Sequence, residues 1–285
     1  MKNNEHIIIS IQEFIDWITS DAKLSTVEGF SGEQMSFEHA RLYYRGQACK
    51  DWPILPGVFR EDFNNGLSEY ELLKVANLRL SNYLLTCPTY LEKLIYLQHY
   101  GLKTRLIDVT FNPLVALYFA CEGHNHESKD GVVYSGFHYD REDSHIAELT
   151  AEFVFTYSLH NIEDKIISFS HDKKVQLYQF EKSLFVMPPV NNPRLEHQNG
   201  AFILSPLVKR VTDNHFVAVN EPIDEGCFFP KKAIVPKGSK KQLLKELNTL
   251  GINKGSIFQG VSEKIESIVQ EEIWRIERTN NVLFE

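Results

Sequence analysis

YLEKLIYLQHYGLKTRLIDVTFNPLVALYFAC, Tyr90 to Cys121, decides the fold. Leu91, Leu94, Ile95 and Gln98 fall at helical spacing. Gly101 suits the left-handed position that ends such a helix. Thr104 to Thr110 reads as extended. Asn112 is a helix cap, and Pro113 follows where a missing backbone N–H costs nothing. Val115, Ala116, Tyr118, Phe119 and Ala120 make the next helix apolar nearly all round, which predicts burial. Gln98, His99, Thr104, Arg105, Asp108, Thr110 and Asn112 crowd polar chemistry onto the strand and its flanks. A buried scaffold carrying that chemistry at one end is where a site is expected.

The chain has 285 residues, 43% of them apolar, enough for a sizeable core. No apolar run reaches bilayer length. The opening MKNNEHIIISIQEF has too short an apolar run for a signal peptide, so a cytoplasmic location is expected. Cys49, Cys87, Cys121 and Cys227 are widely spaced and read as reduced thiols. The net charge of −8 argues against broad, charge-driven binding to nucleic acid or an anionic membrane. A local basic pocket for a phosphorylated small molecule stays compatible with it. The eleven histidines are scattered, and His124 and His126 near Asp130 have no ligand spacing, so no metal is expected.

Outward from the central stretch, Ser10 to Glu13 is a capping-box pattern, with Phe14, Trp17 and Ile18 on one face. Ser20 to Phe37 reads as a polar loop. Ala40 to Arg45 is a strand, and the proline-interrupted segment after it is a packed loop. Ser68 to Leu85 is an amphipathic helix. Gly131 to Phe137 and Glu152 to Leu159 are β-branched and aromatic, which predicts strands. Lys173 to Phe180 reads as a short helix, and Gly200 to Leu204 and Lys231 to Val235 as strands. Ser239 opens a helix stopped by Gly251, and Ser262 opens a last one. The expected fold is one α+β domain, with a mixed, mostly antiparallel β core flanked by helices.

Three blocks, Tyr44-Arg45-Gly46-Gln47, Gln98 to Asp108 and Asn112 to Ala120, resemble the hallmark blocks of the FRG domain family. That family is named for an aromatic-Arg-Gly triplet, here Tyr44-Arg45-Gly46. Arg194 with Gln198-Asn199-Gly200-Ala201-Phe202 is similar to its later Arg…Gln-x-Gly-x-Phe block, and Leu244 to Phe258 to its C-terminal region. Tyr44 stands for the Phe of the name, Val109 where an aromatic is common, and Gln259 where a proline often follows. None of these departures removes a polar group. The resemblance implies an FRG-type domain over residues 1–285, with core motifs at 40–122 and 184–205 and a helical region at 239–279. The family is mostly prokaryotic and is met in phage-defence contexts, but its name implies no reaction.

The order of residues also resembles a second series. Arg45 ends an early strand, Thr110 ends a later one ahead of the Pro113 helix, and Glu196-x-Gln198 precedes a late strand. This is similar to the Arg, Ser/Thr-x-Ser, Glu/Gln-x-Glu order of ADP-ribosyltransferases, an analogy of order and not a long match. It implies an ADP-ribosyltransferase-like fold with NAD as substrate and a protein or nucleic-acid acceptor. Glu196, Gln198, Asp108 and Thr110 are then the expected catalytic residues. Arg45, Gly46, Gln47, His99, Thr104, Arg105, Asn112 and Arg194 are the expected NAD-binding residues. Structural readings stand beside these. Asp108 can pair with Arg105 or Arg45. Thr110 and Asn112 can simply cap the helix, and His99 can bond its own helix end. A different class of function, a nucleotide- or protein-recognition domain without chemistry, fits the same residues.

Overall fold

Alternating β-branched and aromatic residues build one large sheet. The computed structural model describes residues 6–21, 26–28, 34–36, 40–60, 68–123, 128–139, 144–158, 164–168, 177–188, 199–212 and 215–257. In chain order the elements are β1 (His6–Ile7), α1 (Ile11–Asp21), β2 (Thr26–Glu28), β3 (Gln34–Ser36), β4 (Ala40–Gln47), α2 (Glu69–Arg79) and α3 (Ser81–Leu84). Then come α4 (Tyr90–His99), β5 (Leu106–Thr110), α5 (Pro113–Cys121), β6 (Gly131–Tyr139) and α6 (Ser144–Thr156). The last are β7 (Leu184–Val186), β8 (Gly200–Leu204), β9 (Val208–Thr212), β10 (His215–Ala218), α7 (Glu225–Phe228), β11 (Lys231–Val235), α8 (Lys240–Thr249) and α9 (Lys254–Ile257).

Seven strands form the main sheet in the order β1-β11-β6-β4-β5-β8-β7. Only the β1–β11 pair is parallel. The sheet is therefore mixed and mostly antiparallel, and with the helices it makes an α+β fold. Strand alternation sorts the side chains. Tyr43, Ile107, Val109, Tyr134 and Ile203 share one face with Ile54 and Phe229. The opposite face is covered by two groups of helices. α1, α5 and α8 pack on Tyr44, Val133, Ala233 and Val235 through Phe14, Ala116 and Leu243. α2, α4 and α6 pack on Leu106, Phe202 and Leu204 through Leu73, Leu94 and Phe153. The two groups part along the line between β4 and β5.

The helix ends follow their sequence signals. Asn112 Oδ1 accepts the Leu114 N–H at 3.0 Å, with Pro113 in the first turn of α5. Gly101 takes φ +101° after α4, where Leu102 N–H donates to Leu97 O. Helix α5 is buried at Val115 to Tyr118, Ala120 and Cys121, as its composition predicts.

Four expectations are corrected. Glu152 to Leu159 was expected as a strand, but residues 152–156 belong to α6. Phe153, Val154 and Phe155 are all buried, so the helix is covered on several sides and its period is hidden by aromatic and β-branched residues. The expected loop Ser20 to Phe37 contains the antiparallel pair β2–β3. The helix expected over Ser68 to Leu85 is broken at Leu80 into α2 and α3. Residues 177–181 form a 3₁₀ turn that overlaps the end of the short helix expected at Lys173 to Phe180, whose first residues lie outside those described. The helix expected from Ser262 lies outside the described residues.

Candidate functional site

The two edges of β5 behave differently. Toward β8 the ladder is regular: Ser205 N–H donates to Arg105 O at 3.1 Å and Phe111 N–H to Asn199 O at 2.9 Å. By antiparallel alternation, the backbone groups of residues 106, 108 and 110 then turn toward β4. But β4 registers with β5 only at Tyr44 opposite Thr110, and the strands part beyond it. Side chains take the polar groups left open. Gln98 Nε2 donates to Leu106 O at 3.2 Å, and Leu106 N–H donates to Thr104 Oγ1 at 3.2 Å. Arg45 Nη1 donates to Asp108 O at 2.6 Å. Buried backbone groups need such partners, so the split carries its own substitutes for a ladder.

A cavity of about 310 Å³ opens at this split. Arg45, Arg60, Gln98, Lys103, Asp108 and Thr110 give it polar walls, and Tyr44, Leu55, Val115 and Phe119 apolar ones. Its volume is at the small end of the range for ligand pockets. Gln98 is held on three sides: it accepts from Thr104 Oγ1 at 2.7 Å and donates to Leu106 O and to Asp108 Oδ2 at 3.2 Å. Arg45 is half-buried. Burial lowers its pKa to about 10 and the Arg60 charge acts the same way, while the Asp108 carboxylate opposes them. It remains a cation at neutral pH. Three cations face one carboxylate among the described lining residues, a balance suited to an anionic ligand.

Of the residues expected to bind or react, Arg45, Gly46, Asp108 and Thr110 line this cavity. Gly46 does so for a different reason than ligand approach. A Cβ there would lie 1.8 Å from Ala116 O, so the glycine admits the backbone of α5 against β4. Thr110 Oγ1 accepts from Asn112 N–H at 2.9 Å, which ties it to the turn into α5. Asn112 is the cap of α5 and is not in the lining.

Gln47 is buried behind the cavity, accepting from Arg45 Nε at 3.2 Å and donating to Trp52 O at 3.0 Å. Thr104 is fully buried and acts on the site through Gln98. His99 is buried edge-on against Tyr100 and does not reach the cavity. Arg105 lies away from the cavity lining. It is fully buried in an ion pair with Glu69 at 2.6 Å and donates to Pro206 O at 2.9 Å. Glu69 also accepts the Arg105 N–H at 3.0 Å, so this pair ties α2 to the start of β5. Arg194, Glu196 and Gln198 lie outside the described residues.

Arg60 and Lys103 also line the cavity, although no motif in the sequence marks either of them. Their one signal is position: Arg60 closes the Pro56-Gly57 turn, and Lys103 lies between Gly101 and Thr104. Among the described residues, no group of three or more His, Cys, Asp and Glu side chains is placed to hold a metal.

Residues 40–129 match the family model of the FRG domain. That span contains β4, α2 to α5 and β5, and every lining residue of the cavity, from Tyr44 to Phe119, falls inside it. No curated protein and no solved structure matches the chain.

Proposed function

We propose, on the premise that this chain carries an FRG domain over residues 40–129, that the domain is a nucleotide-binding unit whose ligand is NAD. The protein is then an ADP-ribosyltransferase or NAD glycohydrolase-like effector of the kind used in phage defence. The observation that carries the reading is the make-up of one cavity. Three cations, the Gln98 amide, the Asp108 carboxylate and an aromatic wall converge there, all from the family span. Guanidinium and ammonium groups suit phosphate, and an aromatic wall suits a base or a nicotinamide ring.

The chemistry follows from charge. Cleaving the bond between ribose C1′ and the nicotinamide nitrogen sends the electron pair to nicotinamide, which leaves neutral. The sugar carbon becomes cationic until water or an acceptor nucleophile attacks it and loses a proton. A fixed carboxylate beside that carbon stabilises the charge as it develops. Asp108 is the carboxylate among the described lining residues, and Gln98 orients it through Oδ2.

The test is nicotinamide release from NAD, with and without cell lysate as a source of acceptors. Asp108→Asn is expected to lower the rate at saturating NAD by on the order of 10²–10³-fold. Absence of release from the folded wild type in both conditions would rule out the enzyme reading.

One observation favours a recognition domain without turnover. Arg45 Nε and Nη1 and Asp108 Oδ2 are already bonded to protein groups. That reading expects nucleotide or protein binding with no nicotinamide release in any variant.

A further inference from the structure

The motif arginine is committed to the fold. Arg45 spends Nε on Gln47 and Nη1 on the Asp108 carbonyl, the group that the parting of β4 and β5 would otherwise leave open. Two other cations in the same cavity are less committed. Arg60 is exposed, and its Nε and Nη2 share the Leu55 carbonyl at 3.4 and 3.3 Å, both long contacts. Lys103 is exposed and has no partner among the described residues. Its stem lies against the Gly57–Phe59 turn, where a Cβ at Gly57 would sit 3.0 Å from Lys103 Cδ. Gly57 thus makes room for the lysine beside the turn that ends in Arg60.

We propose that Arg60 and Lys103 form the anion grip of the cavity and that Arg45 is a strut holding the β4–β5 split. The ligand class is a nucleoside diphosphate or the matching half of a dinucleotide. A guanidinium fork and a separate ammonium from two loops match the two linked phosphates of a pyrophosphate better than a single phosphate. The nucleoside part of this ligand rests on the nucleotide reading above, whereas the grip itself does not.

Titration calorimetry of the full chain with inorganic pyrophosphate and with ADP tests the grip, alongside the melting temperature of each variant. Arg60→Ala and Lys103→Ala are each expected to weaken both ligands by roughly 10–100-fold, as for loss of one charge-assisted hydrogen bond, with melting unchanged. Arg45→Lys is expected to lower the melting temperature and to weaken pyrophosphate less than either. Wild-type affinity in the Arg60→Ala/Lys103→Ala double variant overturns the grip, as does failure of the wild type to bind pyrophosphate. Pyrophosphate binding that is lost in the double variant, with no nicotinamide release from the wild type, keeps the grip and removes the enzyme reading. Nicotinamide release with an unchanged KM for NAD in the double variant does the reverse.

Discussion

Two arginines serve strand β5, and they do so in opposite ways. Arg105 stands just before the strand with a side chain 0% exposed, and its partner Glu69 is 2% exposed. Its Nε, Nη1 and Nη2 all have acceptors, and Glu69 takes the backbone N–H as well. Arg45 comes from the neighbouring strand, bonds the Asp108 carbonyl, and remains half-buried at the wall of a cavity. Both residues lie in the family span and both are arginines beside polar neighbours. The difference lies in what surrounds them. A charge enclosed by its own partners fastens elements together. A charge partnered on one side and open on the other leaves volume in which a ligand can be held.

The largest expected effect tests the enclosed side. Glu69→Ala leaves the Arg105 guanidinium buried without its counter-charge and is expected to cost about 3–5 kcal/mol. Urea unfolding measures it, and a change below about 1 kcal/mol, the scale of an exposed pair, would erase the contrast between the two arginines.

Next is the glycine beside the open arginine. Gly46→Ala forces a Cβ into the Ala116 carbonyl and pushes α5 off β4. Roughly 1–3 kcal/mol or more is expected, as for overpacking against backbone. A melting temperature equal to that of the wild type would show that α5 does not lie so close.

Thr104→Val sharpens the comparison between the strand's two edges. It leaves Gln98 Oε1 and the Leu106 N–H without their hydroxyl partner, at about 1–3 kcal/mol. Because Gln98 then loses its anchor, affinity for ADP should also fall. Slower or faster melting without any change in ADP affinity would detach Thr104 from the site.

The smallest effect concerns pH. Burial lowers the Arg45 pKa well below the usual guanidinium value, to about 10. Between those values the unfolded chain binds more protons than the folded one, so this residue's contribution to stability rises with pH in that window. Below it, Arg45 is charged in both states and its contribution is constant. The stability of the wild type minus that of Arg45→Met should therefore grow as pH rises above about 10. A difference that stays flat or falls would show that the guanidinium is better solvated than its surroundings indicate.

The strand–turn–helix from Leu106 to Cys121 was readable because its signals are local. The Asn112 cap, Pro113 and the φ-positive Gly101 each act within a few residues. Helix α6 was misread because Phe153, Val154 and Phe155 are buried on several sides, which erases the periodic contrast on which such a reading depends. The pairing of Arg105 was not legible for another reason. Its partner Glu69 lies 36 residues away, and no spacing rule connects them. Arg60 and Lys103 carry no local signal of a site, and only the fold sets them on one cavity wall.

By itself, then, the sequence determined that this is an α+β chain, that a buried helix follows a polar strand, and that polar residues gather around that strand. These features depend on caps, periods and composition, which operate between near neighbours. Only the tertiary structure decided that Arg105 is enclosed by its partners while Arg45 stands at the wall of a cavity. It also decided that Gly46 serves the approach of α5 and that the cavity sits where β4 and β5 part. The physical reason is that a charged side chain's role is set by its partners and its access to water. Both are supplied here by residues distant in sequence.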